Sequence, residues 1–186
     1  MTPDDVFREQ LLPLRDGRSV LIRPALPGDA EAIIRYVNLI DTQSPFMTRE
    51  PGEFGVTVEQ ERQLIAGMGD MRQWFVAVLE GEVVGQVDVA RRHNRQRLRH
   101  RAGLGISVVE DHWGQGLGRA LMDRAIAWCR EKQIEQLELE VVADNHRAIS
   151  LYHGLGFVQT GCLPHAFKYR DGSYADQLQM VLMLRA

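Results

Sequence analysis

The sequence contains only two cysteines and six histidines among 186 residues, and none of them follows the spacing of a metal-binding motif. Cys129 lies in a helical apolar stripe and Cys162 in a strand-like segment, so we expect neither a disulfide framework nor a metal site. No run approaches the roughly 20 apolar residues of a membrane span. These absences argue against a disulfide scaffold and a membrane partner, and we expect a cytoplasmic protein.

Aromatic residues make up only 7% of the chain, and its most basic segment, residues 91–101, has none. Six of the 22 basic residues lie there, which leaves 16 basic against 25 acidic residues elsewhere. Nucleic-acid binding favours a basic face with aromatic residues interleaved for base stacking. We therefore expect no nucleic-acid partner and interpret the segment as a solvated hairpin tip. The alternative is that this basic segment attracts an acidic partner or a neighbouring subunit.

The turn over residues 113–119 reads Trp-Gly-Gln-Gly-Leu-Gly-Arg and is the most informative feature of the sequence. It follows a strand-like run, Leu104 to Val109, and opens a periodic helix. A helix start offers unpaired N–H groups and partial positive charge, and glycine lets a phosphate approach them. The even glycine spacing fits neither a Walker A loop nor a Rossmann fingerprint. By itself the turn is also compatible with a tight turn that binds nothing.

A second segment, residues 138–157, reads as a strand, a short helix begun at an Asp-Asn cap, and a Gly-Phe exit into another strand. Together the two segments resemble the GCN5-related N-acetyltransferase superfamily, in which a Q/R-x-x-G-x-G/A loop binds the pyrophosphate of acetyl-CoA. Trp113 stands where that family usually has Gln or Arg. The family's second pattern, N-x-x-A-x-x-L-Y-x-x-x-G-F, is complete here in Asn145, Ala148, Leu151, Tyr152, Gly156 and Phe157.

The resemblance extends from Ser19 to the C-terminus and implies an acetyl-CoA-dependent enzyme that transfers acetyl directly to an amine, without a metal. Closer similarity to bacterial small amino-acid N-acyltransferases rests on residues 161–180. It implies a small-molecule primary amine, an amino acid, as acceptor. Acetylation of a protein N-terminus or lysine, and a non-catalytic acyl-CoA-binding module, are the alternatives. Because dimers are frequent in the superfamily, a homodimer is also left open.

The resemblance further implies the residues of the site. Tyr152 is predicted as the general acid that protonates the departing thiolate, and its alternative role is packing against Leu151 and Phe157. A strand amide near Val108 would stabilise the charge that develops on the carbonyl oxygen. The residues predicted to bind acetyl-CoA are Gln115, Gly116, Gly118 and Arg119 at the pyrophosphate, Ile106 and Val108 beside the pantetheine arm, and Asn145 and Tyr152 across the cleft.

No general base can be transferred from the family, because relatives place a carboxylate where this chain has Ala102 and Gly103. Glu140 is the leading catalytic candidate, since it lies on the adjacent predicted strand among apolar neighbours. A water chain could also serve. The competing carboxylates are Glu138, Asp88 and Asp144.

We predict one domain over residues 1–186, with residues 1–17 as a polar lead-in. The order of elements predicts an α/β or α+β fold. The resemblance implies three layers: a mixed, mostly antiparallel central sheet with a splayed parallel pair, and helices on both faces.

The loop from Phe46 to Val56 is predicted to form a wall of the acceptor site. Predicted strands cover 20–24, 73–79, 83–90, 104–109, 137–142, the region around Phe157, and 177–184; predicted helices begin near Ala30, Val58, Ala120 and Asn145.

Overall fold

A computed structural model describes residues 9–184 and forms one eight-stranded sheet with helices on both faces. The strands are β1 Gln10–Pro13, β2 Ser19–Pro24, β3 Arg72–Leu79, β4 Glu82–Arg91, β5 Arg101–Val108, β6 Gln136–Val142, β7 Val158–Lys168 and β8 Tyr174–Met183. The α-helices are α1 Ala30–Gln43, α2 Val58–Ala66, α3 Leu117–Glu131 and α4 His146–Gly154. Short 3-10 turns cover Pro27–Asp29 and Glu110–His112.

The predicted polar lead-in is in part an edge strand. Residues 1–8 lie outside the described residues, but β1 pairs antiparallel with β2 through a turn at Gly17. No clear pattern predicts β1, because an edge strand buries little: Leu11 remains 67% exposed, and Leu14 after the strand enters the core.

The sheet order is β1-β2-β3-β4-β5-β6-β8-β7, and every neighbouring pair is antiparallel except β5 and β6. These two parallel strands pair only over Arg101–Gly103 and Gln136–Glu138. Beyond Gly103 they separate and leave a gap in the middle of the sheet. The predicted mixed sheet with a splayed parallel pair is therefore confirmed.

Each face of the sheet buries its own apolar cluster. Helix α3 presents a continuous stripe that includes Leu121, Ala125 and Trp128, all fully buried against one face. Helices α1 and α2 cover the other face through residues such as Ile33 and Ile65. None of the described helices is long and apolar enough to cross a membrane. Within residues 9–184 no cluster of three potential metal ligands occurs.

Candidate active site

The gap between β5 and β6 exposes backbone groups of β5. Val109 donates its N–H to the carbonyl of Val84 on β4, and antiparallel bonding alternates along the strand. The peptide groups of Ile106 and Val108 therefore point away from β4, toward the position that β6 has left. Both residues line a cleft of about 490 Å³, which we call the narrow cleft. Its wall offers a strand edge to an extended ligand.

The glycine turn forms one end of the narrow cleft. Gly114 and Gly116 have φ of 72° and 88°, in the left-handed region that favours glycine, and Gly116 caps the start of α3. A Cβ on Gly118 would lie 3.2 Å from a methyl of Leu151, so α3 and α4 approach closely here. The first turn of α3 thus presents unpaired N–H groups to the cleft.

Two arginines supply positive charge to the narrow cleft. Arg119 donates to the carbonyl of Gly154 at 3.1 Å, and its Nε lies 3.3 Å from exposed Asp123. Arg147 stacks 4.4 Å from the ring centroid of Trp113. The sequence analysis missed Arg147, although a basic residue directly after a predicted helix start was a signal for it.

The side chains of Trp113 and Gln115 both donate hydrogen bonds to backbone carbonyls close in sequence. The indole Nε1 of Trp113 donates to the carbonyl of Val108 at 2.7 Å, so this aromatic residue fixes the turn against β5. The side-chain amide of Gln115 donates to the carbonyl of Asp111 at 3.3 Å, and Gln115 does not line the cleft. The other residues predicted to bind acetyl-CoA line it: Ile106, Val108, Gly116, Gly118, Arg119, Asn145 and Tyr152.

Helix α4 places Asn145 and Tyr152 across from β5. The Oδ1 of Asn145 accepts the N–H of Ala148 at 3.2 Å and caps the helix. Tyr152 is 5% exposed, its ring lies 5.8 Å from that of Phe157, and no residue in 9–184 hydrogen-bonds its hydroxyl. Burial raises the pKa of Tyr152 to about 12, so the phenol stays protonated at neutral pH.

A second, larger space lies on the face of the sheet covered by α1 and α2. This broad cavity has a volume of about 1130 Å³, and residues of the 46–56 loop form part of its wall. Tyr152 and Asn145 also line it, as do Ile106 and Ser107. The narrow cleft and the broad cavity therefore meet at Tyr152, through the gap between β5 and β6.

The four carboxylates considered as bases differ in their partners. Asp88 accepts hydrogen bonds from Nε and Nη2 of Arg72, at 2.8 and 2.6 Å. Glu138 is bound by Arg101, with one contact of 2.9 Å. Glu140 lines the broad cavity and is exposed, whereas Asp144 lines the narrow cleft.

A fifth carboxylate, Glu61, was missed by the sequence analysis. It lines the broad cavity, is 1% exposed, and its Oε1 has no hydrogen-bond partner among residues 9–184. Burial raises the pKa of Glu61, and the charge of Arg72 partly offsets this. The Oε1 of Gln86 and the Nε1 of Trp74, on the same cavity, also lack partners in this part of the chain. The signal in the sequence was a glutamate four residues before Ile65, on the buried face of α2.

Comparison with known proteins agrees with this geometry. The model of the acetyltransferase (GNAT) family matches residues 37–157. The chain is 34% identical over 109 residues to the L-amino acid N-acetyltransferase AaaT of Escherichia coli, covering 57% of this chain and 65% of AaaT, just under two thirds of that protein. It is 31% identical over 163 residues to the streptothricin acetyltransferase of Streptomyces lavendulae, covering 78% of this chain and 85% of the relative.

A solved structure of a GNAT-family acetyltransferase from Streptococcus pneumoniae is similar over nearly the whole domain. The TM-score is 0.84 at 27% sequence identity, and the match covers 89% of this chain and 99% of the other. The sheet, the gap and the helices on both faces thus agree with a known architecture.

Proposed function

This chain belongs to the GNAT acetyltransferase family, and on that premise we propose that it transfers an acetyl group from acetyl-CoA directly to the primary amine of a small molecule, an amino acid. The observation that carries the proposal is the meeting of the narrow cleft and the broad cavity at Tyr152. A donor in the cleft and an amine in the cavity would come together there. The relative AaaT, an L-amino acid N-acetyltransferase, supports the choice of acceptor.

The residues of the narrow cleft fit acetyl-CoA. The N–H groups at the start of α3 and the charges of Arg119 and Arg147 suit a pyrophosphate. The peptide groups of Ile106, and the carbonyl of Val108 beside its bond from Trp113, suit the amides of a pantetheine arm. Acetyl-CoA supplies an acetyl group activated as a thioester. Gln115 contributes no side-chain contact to this assignment.

Three groups of the chain act on the reacting atoms in this proposal. The N–H of Val108 faces the gap and donates to the acetyl carbonyl oxygen, where negative charge develops. The hydroxyl of Tyr152, protonated at neutral pH, donates its proton to the leaving thiolate of coenzyme A as the C–S bond breaks and the N–C bond forms. The amine must lose a proton, and Glu140 on β6 is proposed to accept it, directly or through water.

Arg92 is a further cation on the wall of the broad cavity. Its guanidinium packs over Gly103, where an added Cβ would lie 2.7 Å from the guanidinium carbon. Its Nε is 3.7 Å from Glu138, which Arg101 binds more closely. Gly103 lies four strand residues from Ser107, about 13 Å, so Arg92 adds positive charge to the outer part of the broad cavity and does not reach the carboxylate of an α-amino acid at the reacting end.

The proposal is tested by mixing the purified protein with acetyl-CoA and separate panels of amino acids, peptides and polyamines, while free thiol is measured. We expect acceptor-dependent thiol release with amino acids. Release with peptides or polyamines alone would refute the choice of acceptor. Binding of acetyl-CoA without release in any panel would refute the enzymatic activity and favour a non-catalytic acyl-CoA-binding module.

A further inference from the structure

We propose that Glu61 binds a second cationic group of the acceptor, an ammonium or guanidinium remote from the amine that receives the acetyl group. The inference rests on the proposed function, since it concerns the acceptor in the broad cavity. It makes Glu61 a specificity-determining residue that the family motifs do not contain.

The position of Glu61 in α2 is the first argument. Thr57 caps this helix through the N–H of Gln60, and the buried face of α2 consists of Glu61 and Ile65. An apolar residue would fill the buried position of Glu61 without a desolvation penalty, whereas an unpaired buried carboxylate is costly. A carboxylate at this position therefore indicates a use beyond packing.

The surroundings of Glu61 are the second argument. Among residues 9–184 no cation lies within ion-pair distance of Glu61. The neighbouring cation, Arg72, is already bound in a bidentate pair by Asp88. Glu61 is therefore a carboxylate on a cavity wall that its neighbours do not neutralise.

Gln86 provides an independent observation on the same wall. Its Oε1 is buried and, within the described residues, accepts no hydrogen bond. The acceptor atoms without partners, on Glu61 and Gln86, match a ligand that carries N–H donors at more than one position. An ammonium or a guanidinium provides three or more such donors, and a positive charge suits the carboxylate.

The lining of the two spaces shows that this group is separate from the reacting amine. Tyr152 and Ser107 line both the narrow cleft and the broad cavity, whereas Glu61 lines the broad cavity but not the narrow cleft. The carboxylate of Glu61 therefore lies away from the place where the two spaces meet. A basic side chain of an amino acid, or the far amine of a polyamine, carries a second cation away from the reacting amine.

The experiment compares matched acceptors on the wild type, Glu61→Gln and Glu59→Gln. L-lysine and L-norleucine have the same chain length, but only lysine has the second ammonium. We expect the wild type to prefer lysine in kcat/KM by on the order of ten- to a hundredfold. The preference should fall to about twofold or less in Glu61→Gln. Glu59, 62% exposed on the same turn of α2, is the control and should retain it.

The pair 1,5-diaminopentane and pentylamine distinguishes the source of the cation. A preference for the diamine, lost in Glu61→Gln, would indicate a polyamine-like acceptor, and a preference confined to lysine a basic amino acid. If the wild type shows no preference in either pair, or Glu61→Gln keeps the wild-type preference, the inference is overturned.

Calorimetric binding of lysine and norleucine repeats the comparison without turnover. A protein that releases no thiol would refute the proposed activity, yet the loss of lysine binding in Glu61→Gln would still support the role of Glu61. Thermal unfolding tests whether the substitution damages the fold. The Tm of Glu61→Gln should be at least as high as that of the wild type at neutral pH. A clear loss of stability would mark Glu61 as a structural group instead.

Discussion

Tyr152 is the residue on which the proposed chemistry can be tested most directly. Phenylalanine keeps the ring that packs against Phe157 but removes the hydroxyl, which no other residue in 9–184 engages. We therefore expect Tyr152→Phe to lower kcat by about a hundredfold or more, because general-acid contributions have this size. The Kd for acetyl-CoA should stay near that of the wild type. An unchanged kcat would mean that Tyr152 only packs against its neighbours and is not the general acid.

From the burial of the Glu61 carboxylate we predict how the stability of the protein depends on pH. Burial raises its pKa in the folded state, so the folded protein resists ionisation of Glu61. Its favourable contribution is present below the ordinary pKa and is lost as pH rises through the folded value. Glu61→Gln should thus show a higher Tm than the wild type at pH 7 to 8.

The difference should shrink as the pH falls toward 4, where the carboxyl is neutral in both states; about 1 kcal/mol would correspond to about 2–4 °C in a chain of this size. Scanning calorimetry across this range is the measurement. A pH-independent difference between Glu61→Gln and the wild type would contradict the assigned cause.

Glu61 also shows where reasoning from the sequence stopped. The motifs pointed to Asn145 and Tyr152, which line the same cleft in the structure. They could not show that Asp88 is neutralised by Arg72, because that pairing depends on the register of β3 and β4. They also could not show which carboxylate is buried without a partner, since burial follows from helix packing.

The glycine turn is the element on which binding of acetyl-CoA depends in this proposal. Gly116 has a left-handed φ of 88°, and a Cβ there would contact nothing within 4 Å. We expect Gly116→Leu to weaken acetyl-CoA binding at least tenfold, because the side chain enters the space assigned to the pyrophosphate. Isothermal titration with acetyl-CoA measures this loss.

A control separates this loss from backbone strain. Gly17, in the turn between β1 and β2, has a similar φ of 86° and equally open surroundings, far from the cleft. Gly17→Leu should therefore show a comparable loss of stability, roughly 1–2 kcal/mol, with wild-type affinity for acetyl-CoA. Equal affinity in the Gly116 variant would contradict the phosphate-loop assignment.

The elements were predictable from the sequence to different degrees. The hairpin of β3 and β4 and helix α3 follow clear periodicities, and the structure agrees with their predicted positions. The last two strands were predicted less well, because every residue of β7 is exposed or partly exposed and no alternation marks it. The separation of β5 and β6 came from the family resemblance alone, since no local pattern encodes where two distant strands part.

The architecture as a whole explains why one gap can bring two ligands together. The narrow cleft and the broad cavity meet only because the parallel pair opens after Gly103, and this opening leaves peptide groups of β5 without strand partners. Occupation of the gap by acetyl-CoA should therefore complete the sheet. Ligand binding and stability are then coupled across the domain.

Acetyl-CoA at about 100 times its Kd should stabilise the fold by about 2.7 kcal/mol, a rise in Tm of about 5–10 °C. Hydrogen exchange gives a sharper test, because the ligand should protect the amides of Ile106 and Val108, which face the gap. The amides of Gly105 and Ser107 bond to β4 and should be protected with or without it. A rise in Tm without protection of the gap-facing amides would mean that acetyl-CoA binds elsewhere. The narrow cleft would then not be the acetyl-CoA site, even if the protein proved to be an acetyltransferase.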